Sequence, residues 1–424
     1  SMTFSFWLKR GNISEQMVIY NGAANNHFQF FASNIFHIDV SGTGGGDYKT
    51  TRKFRDTHAW YHFVIAFDTA NATSTERMKL YVNGRQETEF GTYTAITQNS
   101  DLSFTNTVKQ QWGNYQTSSG IYFDGYLAEV CFVDGSTLGP DSFGKFNANG
   151  VWVPKTPVVT YGTTGYKLDF ADSSALGNDV SGNNNDFTVN NITSTDQTTD
   201  TPTNNKATWS DISYGPTTSS PTLENGNLDI PGSGLQDRGV GGSFSVAGSG
   251  KYYWEYEITS GSGGTPSQTI GWHSQPFAHS SYSLGGSGGI RGYHSDDGDK
   301  VTGSTDTSYG DAFTASEIRL GVALDLDNGA IYFAQDNTWQ NSGDPTSGSS
   351  KTGAAFTDLT SGVWSPFLAS SGNRGMTAIF NEDDFEYTPP TGFKALAAEN
   401  LPVPSIADPT SAFQVITYEG TGAT

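Results

Sequence analysis

Cysteine is almost missing from this chain: Cys131 is the single one among 424 residues. An internal disulfide and a cysteine-built metal centre are thereby excluded, and the setting Val130-Cys131-Phe132-Val133 reads as a packed strand position. Basic residues are scarce as well. Against 43 Asp and Glu stand 22 Lys and Arg, a formal net charge of −21. Such a surface repels the phosphate backbone of nucleic acid and anionic lipid headgroups, so neither is an expected partner. No run approaches the ~20 consecutive apolar residues that a membrane-spanning helix needs, which argues against membrane insertion. No basic stretch followed by an apolar one marks a secretion signal, and nothing with helical periodicity exceeds a single turn.

What the chain has in quantity is glycine, 51 residues, and aromatic side chains, 13% of the total against only 15% charged. Frequent turns joined by strands rich in Tyr, Phe and Trp are a β composition. A length of 424 residues exceeds the usual single domain. In Met78-Lys79-Leu80-Tyr81-Val82-Asn83-Gly84-Arg85, apolar and polar residues alternate into Asn-Gly, which supplies the positive φ angles of a two-residue hairpin turn. The denser apolar run Trp60 to Phe67 suits a strand covered on both faces, hence a central one. Ile121 to Val130 holds a further strand interrupted at Asp124-Gly125, and Leu320 to Phe333 repeats the Asn-Gly hairpin at Asn328-Gly329.

Between about 190 and 222 the chain turns to Thr, Ser, Asn and Pro, a composition that cannot bury a core and reads as an extended connector. The expected class is therefore all-β, with two consecutive antiparallel sandwiches. The expected divisions are a first domain over 1–190, a connector over 191–222, a second domain over 223–400 and the start of a further region over 401–424. The opening Ser1-Met2-Thr3-Phe4-Ser5-Phe6-Trp7 already alternates like a strand. A natural sequence that begins earlier, with Ser1 a cloning remnant and the first strand missing, is the expectation it raises.

The segments Phe4-Ser5-Phe6-Trp7-Leu8, Ala59-Trp60-Tyr61-His62-Phe63-Val64, Leu80-Tyr81-Val82-Asn83-Gly84 and Tyr122 to Val130 resemble, in that order, the laminin-G-like branch of the concanavalin A-like jelly rolls. From Gly250-Lys251-Tyr252-Tyr253-Trp254-Glu255 through Gly321 to Asp327 and Asn337-Thr338-Trp339-Gln340-Asn341, the second half resembles a SPRY sandwich. This order of domains, closed by Tyr387-Thr388-Pro389-Pro390-Thr391-Gly392-Phe393, is similar to virion proteins of tailed bacteriophages, especially marine ones, in which Phe413 to Gly422 would open a further domain. The resemblance implies a non-enzymatic tail fibre, appendage or capsid decoration protein on the virion exterior. Its implied partners are a host cell-surface polysaccharide or glycoprotein and other virion subunits. A homo-oligomer fits such an appendage, although no heptad or collagen-like repeat enforces it.

Glycan binding needs flat aromatic faces beside polar groups, because a sugar ring offers C–H patches and hydroxyls together. Trp112 and Tyr115, Trp272 and His273, Tyr282, and Trp339 have that local composition. Asp296, Asp297 and Asp299 bring three carboxylates within four positions, the hard oxygen donors that Ca²⁺ prefers, but lack the later bidentate glutamate of an EF-hand loop. Asp325, Asp327 and Asn328 are explained by turn chemistry. No other cofactor is expected. Gly285-Gly286-Ser287-Gly288-Gly289 matches the serine-hydrolase pattern by glycine content alone, with no helix to follow it.

The one enzymatic alternative is a jelly-roll glycoside hydrolase, or its carbohydrate-binding module, built on Glu382, Asp384 and Glu386. On a strand these would share one face. The Cα atoms of Glu382 and Glu386 would stand ~13 Å apart, while a retaining pair brings its carboxyls to ~5–5.5 Å. The seven histidines are scattered, with no helical His-x-x-x-His pair for zinc, so the sequence offers histidine chemistry no support.

Overall fold

A computed structural model describes residues 1–22, 26–106, 109–114, 120–214, 221–232, 238–261, 268–274, 289–303, 305–313, 318–370 and 374–402. Among them the strands pair with one another antiparallel, a single isolated parallel bridge joins Tyr252 to Lys394, and the helical turns are all short 3₁₀ segments. Among the described residues no helix is long and apolar enough to cross a membrane.

The first half contains fourteen strands: Met2–Arg10 (β1), Gln16–Asn21 (β2), Asn26–Phe30 (β3), Ile35–Val40 (β4), Gly46–Lys53 (β5), Tyr61–Phe67 (β6), Met78–Val82 (β7), Arg85–Glu87 (β8), Phe90–Thr94 (β9), Gln110–Trp112 (β10), Gly125–Asp134 (β11), Gly144–Phe146 (β12), Trp152–Pro154 (β13) and Tyr166–Leu168 (β14). One six-stranded sheet runs β14-β11-β1-β6-β7-β8 and the other β10-β2-β3-β4-β5-β9. Alternating residues from both, among them Phe4, Phe6, Phe28, Phe36, Ile38, Phe63, Ile65 and Phe132, meet in one core. Stacked and edge-on ring pairs such as Phe4 with Phe132 and Phe4 with Phe28 fill it. The expected central strand is β6, flanked by β1 and β7 and buried along its whole length.

The Asn83-Gly84 turn has φ of 49° and 77° at its two centres, as a two-residue hairpin requires. In the strand expected to be interrupted, Asp124-Gly125 stands instead at the strand's start, and the bulge falls later, at Glu129, whose φ is 48° where the register against β1 shifts. Gly125 itself is irreplaceable on steric grounds: φ is 146° and an added Cβ would sit 2.1 Å from the Lys9 carbonyl oxygen.

The second half is built on Trp209–Tyr214 (β15), Asp229–Ile230 (β16), Arg238–Gly242 (β17), Val246–Ala247 (β18), Lys251–Gly261 (β19), Gln268–Ser274 (β20), Ile290–His294 (β21), Asp299–Thr302 (β22), Thr305–Ser308 (β23), Arg319–Asp325 (β24), Ala330–Gln335 (β25), Thr338–Trp339 (β26), Val363–Ser370 (β27) and Arg374–Ile379 (β28). One sheet is ordered β15-β17-β27-β20-β21-β22-β23, with β18 also on β27, and the other β16-β28-β19-β24-β25-β26. Their shared core holds Trp209, Trp254, Trp272, Tyr256 and Phe333. The hairpin at Asn328-Gly329 is a four-residue loop, not a two-residue one: Asp325 pairs with Ala330, and its buried carboxylate accepts the backbone and side-chain N–H of Asn328.

Within the stretch read as a connector the structure differs from the expectation. Trp209 to Tyr214 is a strand of the second half, and the Trp209 side chain is fully buried in that core. Before it, Ala207 donates to the Leu396 carbonyl and Ala398 to that of Asn205, so this backbone is also tied to the second half. Composition misled because a few apolar side chains, Ala207 and Trp209, suffice to anchor a polar segment whose backbone bonds are made elsewhere.

Candidate functional site

The sequence-derived aromatic candidates mostly serve the cores. Trp272 is fully buried and His273 nearly so, both within β20, so neither offers a face to a sugar. That is a correction with a simple cause: Trp272 points into the core between the two sheets with Trp209 and Trp254, and His273, on the other face of β20, packs against Phe367. Trp112 is half-buried, edge-on to Phe6, and spends its indole N–H on the Tyr166 hydroxyl. Trp339 is half-buried against Tyr332. Tyr115, Tyr282, Gly285 to Gly288 of the glycine-rich loop and the Phe413 to Gly422 segment lie outside the described residues.

The acidic motif is not a strand. Glu382–Asp384 forms an exposed 3₁₀ turn. Its direction is set from below by Glu255, whose fully buried carboxylate accepts the backbone N–H of Glu386 at 2.9 Å and of Tyr387 at 3.0 Å. Asp384 accepts from the Asn381 side chain, and Glu386 faces Arg319. The one-face alternation on which the glycosidase alternative rests is therefore absent.

For the calcium candidates, Gly298, at φ 76°, turns the chain so that Asp299 N–H meets the Asp297 carboxylate. It is His294 rather than Asp299 that joins Asp296 and Asp297 in a compact exposed cluster, its Nδ1 at 2.9 and 3.2 Å from them. The Asp299 carboxyl is pushed up from its ordinary value, first by desolvation and then by Asp297 and Asp306.

A serine and a histidine do meet, inside the first half. Ser5 Oγ lies 2.9 Å from His62 Nε2, but the indole N–H of Trp152 donates to His62 Nδ1 at 2.9 Å. Nδ1 is thus an acceptor, so the ring proton sits on Nε2 and points at Ser5, the wrong tautomer for a general base. Burial drives this imidazole down to about 3. The pair is a packing device beneath Trp7, which stacks on the ring.

The densest polar cluster lies on the outer face of the β2-β3-β4-β5 sheet, opposite the core, with Tyr20, His27, Gln29 and His37 buried within it and Asp39, Asp47 and Lys49 half-exposed. Strand alternation points Phe28, Phe30, Phe36 and Ile38 inward and leaves His27, Gln29, His37 and Asp39 outward. Pairing lines these up across strands: Tyr20, His27, Asp39 and Asp47 form one row, and Gln29, His37 and Lys49 the next. His37 Nε2 is 2.8 Å from Asp47 Oδ1, and Lys49 bonds the other oxygen of Asp47 at 3.1 Å. Phe31 stacks on the His37 ring. Desolvation lowers the His37 imidazole, partly offset by Asp47; the hydrogen bonds to Lys49 and His37 hold the Asp47 carboxyl below its usual range against an opposing desolvation that is the largest single influence. Sequence reasoning missed this face because its residues are spread over four strands and meet only through the pairing register; the alternation in Asn26 to Val40 was its one legible signal. Elsewhere, a groove of about 470 Å³ runs along Leu176, Asn178, Asp186 and Phe187 and carries little chemistry.

Comparison with known proteins bears on both halves. Residues 1–140 match the concanavalin A-like lectin/glucanases superfamily and residues 251–383 match the SPRY domain. No curated protein matches the chain. Similar solved structures include the SPRY domain of human HERC1, 13% identical over 42% of this chain and 99% of that one with a TM-score of 0.33. Another is the TRIM65 PSpry domain, 14% identical over 42% of this chain and 90% of that one with a TM-score of 0.30. With its two core-sharing pairs of antiparallel sheets and these two family matches, the chain is an all-β protein in which a concanavalin A-like sandwich is followed by a SPRY-like one.

Proposed function

We propose that this chain is a non-enzymatic binding module that recognises a glycan or glycoprotein through the outer face of the β2-β3-β4-β5 sheet. The observation that carries the reading is the polar outer face of β3 to β5, where the half-exposed Asp39, Asp47 and Lys49 and the Phe31 ring stand open beside the buried His27, Gln29 and His37 that hold them. Rigid strands hold these donors and acceptors in place before any ligand arrives, which reduces the ordering cost of binding a flexible sugar. A lectin-like domain followed by a SPRY domain suits recognition, and the 3₁₀ turn at Glu382–Asp384 leaves the hydrolase alternative without its paired carboxylates.

The proposed setting is the exterior of a tailed-phage virion, where the partners are a host-surface glycan or glycoprotein and neighbouring virion subunits. The order of motifs along the chain supports it, and portal, tail-tube or capsid genes beside this one would be the decisive sign.

A glycan array tests the binding reading directly. Wild type should capture a defined glycan class, and the Gln29→Ala/Lys49→Ala double variant should lose that signal. Capture by the double variant at wild-type strength, or an empty array, would overturn the assignment. A reducing-sugar assay over algal and bacterial polysaccharides should show no turnover; turnover removed by Glu382→Gln would establish the enzyme instead.

A further inference from the structure

On that same face, one ring nitrogen from each of His27 and His37 and a carboxylate oxygen of Asp39 lie within 4.8 Å of one another. The fold produces this without any sequence motif. His27 sits directly across the ladder from Asp39, and His37 is two residues from Asp39 along β4, so all three project from one side. The two rings meet edge-on at 5.4 Å.

The state of His37 is the telling detail. It is 5% exposed, its Nε2 is engaged by Asp47, and its Nδ1 is buried with no hydrogen-bond partner among the described residues. A buried imidazole nitrogen left bare is costly, whereas a ring whose N–H is held by a carboxylate and whose other nitrogen offers its lone pair is the ordinary arrangement of a metal-ligating histidine. Asp39 keeps one oxygen on the Ser41 backbone N–H, which orients the carboxylate and leaves its second oxygen for other use. Lys49, opposite His37, spends its charge on Asp47.

We propose that His27, His37 and Asp39 form a binding site for a borderline divalent metal of the zinc class, with Asp47 orienting His37 from behind. Two imidazoles and one carboxylate suit Zn²⁺ and its neighbours, whereas Ca²⁺ seeks six to eight oxygens. Ligand atoms ~2.0–2.1 Å from a tetrahedral zinc stand about 3.3 Å apart, so the three side chains draw in by no more than about 1.5 Å on binding. Three protein ligands leave a coordination position open to water or to a ligand oxygen. The proposal goes beyond the glycan reading, because the metal is measured with no sugar present.

The test is calorimetric titration of the full chain, stripped with EDTA and free of any polyhistidine tag, with Zn²⁺, paralleled by the visible absorption of bound Co²⁺. Wild type should take up one equivalent and give a Co²⁺ spectrum. His37→Ala and Asp39→Asn should each abolish saturable binding, Asp47→Asn should weaken it by about 10–100-fold, and His294→Ala should leave it unchanged. Asp39 is only half-buried, so its variant keeps the test sound if the histidine variants fold poorly. A wild-type chain that binds no Zn²⁺ overturns the site, as does binding that survives Asp39→Asn and His37→Ala or disappears in His294→Ala.

Discussion

At the level of single residues, the first half fully buries the guanidinium of Arg10 and the imidazole of His62. Arg10 is fully buried with no carboxylate in hydrogen-bond reach among the described residues; its guanidinium donates instead to Gln16, Asn34, and the Ser14 and Phe54 carbonyls, and burial lowers it to about 10. His62 sets a pH limit. Its folded value of about 3 lies below the ordinary 6.5, so the unfolded chain takes up the proton first. The stabilisation is fully present above pH 6.5 and is lost as pH falls toward 3, at up to about 1.4 kcal/mol per pH unit. Urea unfolding of wild type between pH 7 and 4 should show this loss, and His62→Gln should flatten the slope; an unchanged slope would mean that other groups set the acid limit.

At the level of elements, the strands that carried the clearest signatures also carry the structure. Trp272 within β20 is a core residue, so Trp272→Ala should cost about 3–5 kcal/mol in chemical denaturation. A sugar-contacting tryptophan on the surface would instead change binding at constant stability. For the acidic segment, Glu255 is the organiser: Glu255→Gln removes charge from a carboxylate that accepts two backbone N–H groups, the Tyr253 hydroxyl and Arg319. Hydrogen exchange at Glu386 and Tyr387 should accelerate in that variant, while exchange in β1 to β14 should not.

At the level of the whole molecule, the two domains are stapled by one buried ion pair. Lys9 of β1 donates to Asp200 at 2.8 Å and to Asn205 at 2.9 Å, both side chains of the pair being almost completely buried. Trp60 donates its indole N–H to the other oxygen of Asp200, and Tyr126 donates to the Gly226 carbonyl. Thr57 of the first half also reaches Asp211 of β15. Removing one member of a buried pair leaves an uncompensated charge, so Lys9→Met should cost about 3–5 kcal/mol, and Lys9→Met with Asp200→Leu should recover part of it. Calorimetry should show the single variant splitting the thermal transition into two as the domains uncouple. Limited proteolysis of wild type should spare 200–209 despite its Thr- and Asn-rich composition, because its backbone is bonded on both sides.

The sequence by itself determined the class, the Asn83-Gly84 turn and the central position of Trp60 to Phe67, because period-two alternation and turn chemistry are local and are written in neighbouring residues. It determined the order of the two domains through motifs that recur in their families. Only the tertiary structure decided where Trp272 would point, that Glu382 to Glu386 would turn rather than extend, that Trp209 would leave the connector for a core, and that His27, His37 and Asp39 would meet. These last depend on which strand lies beside which and in what register, a choice made by the summed burial of both sheets and by single distant groups such as Glu255 and Lys9. Residues ten to two hundred positions apart have no local signal through which a sequence could announce their meeting.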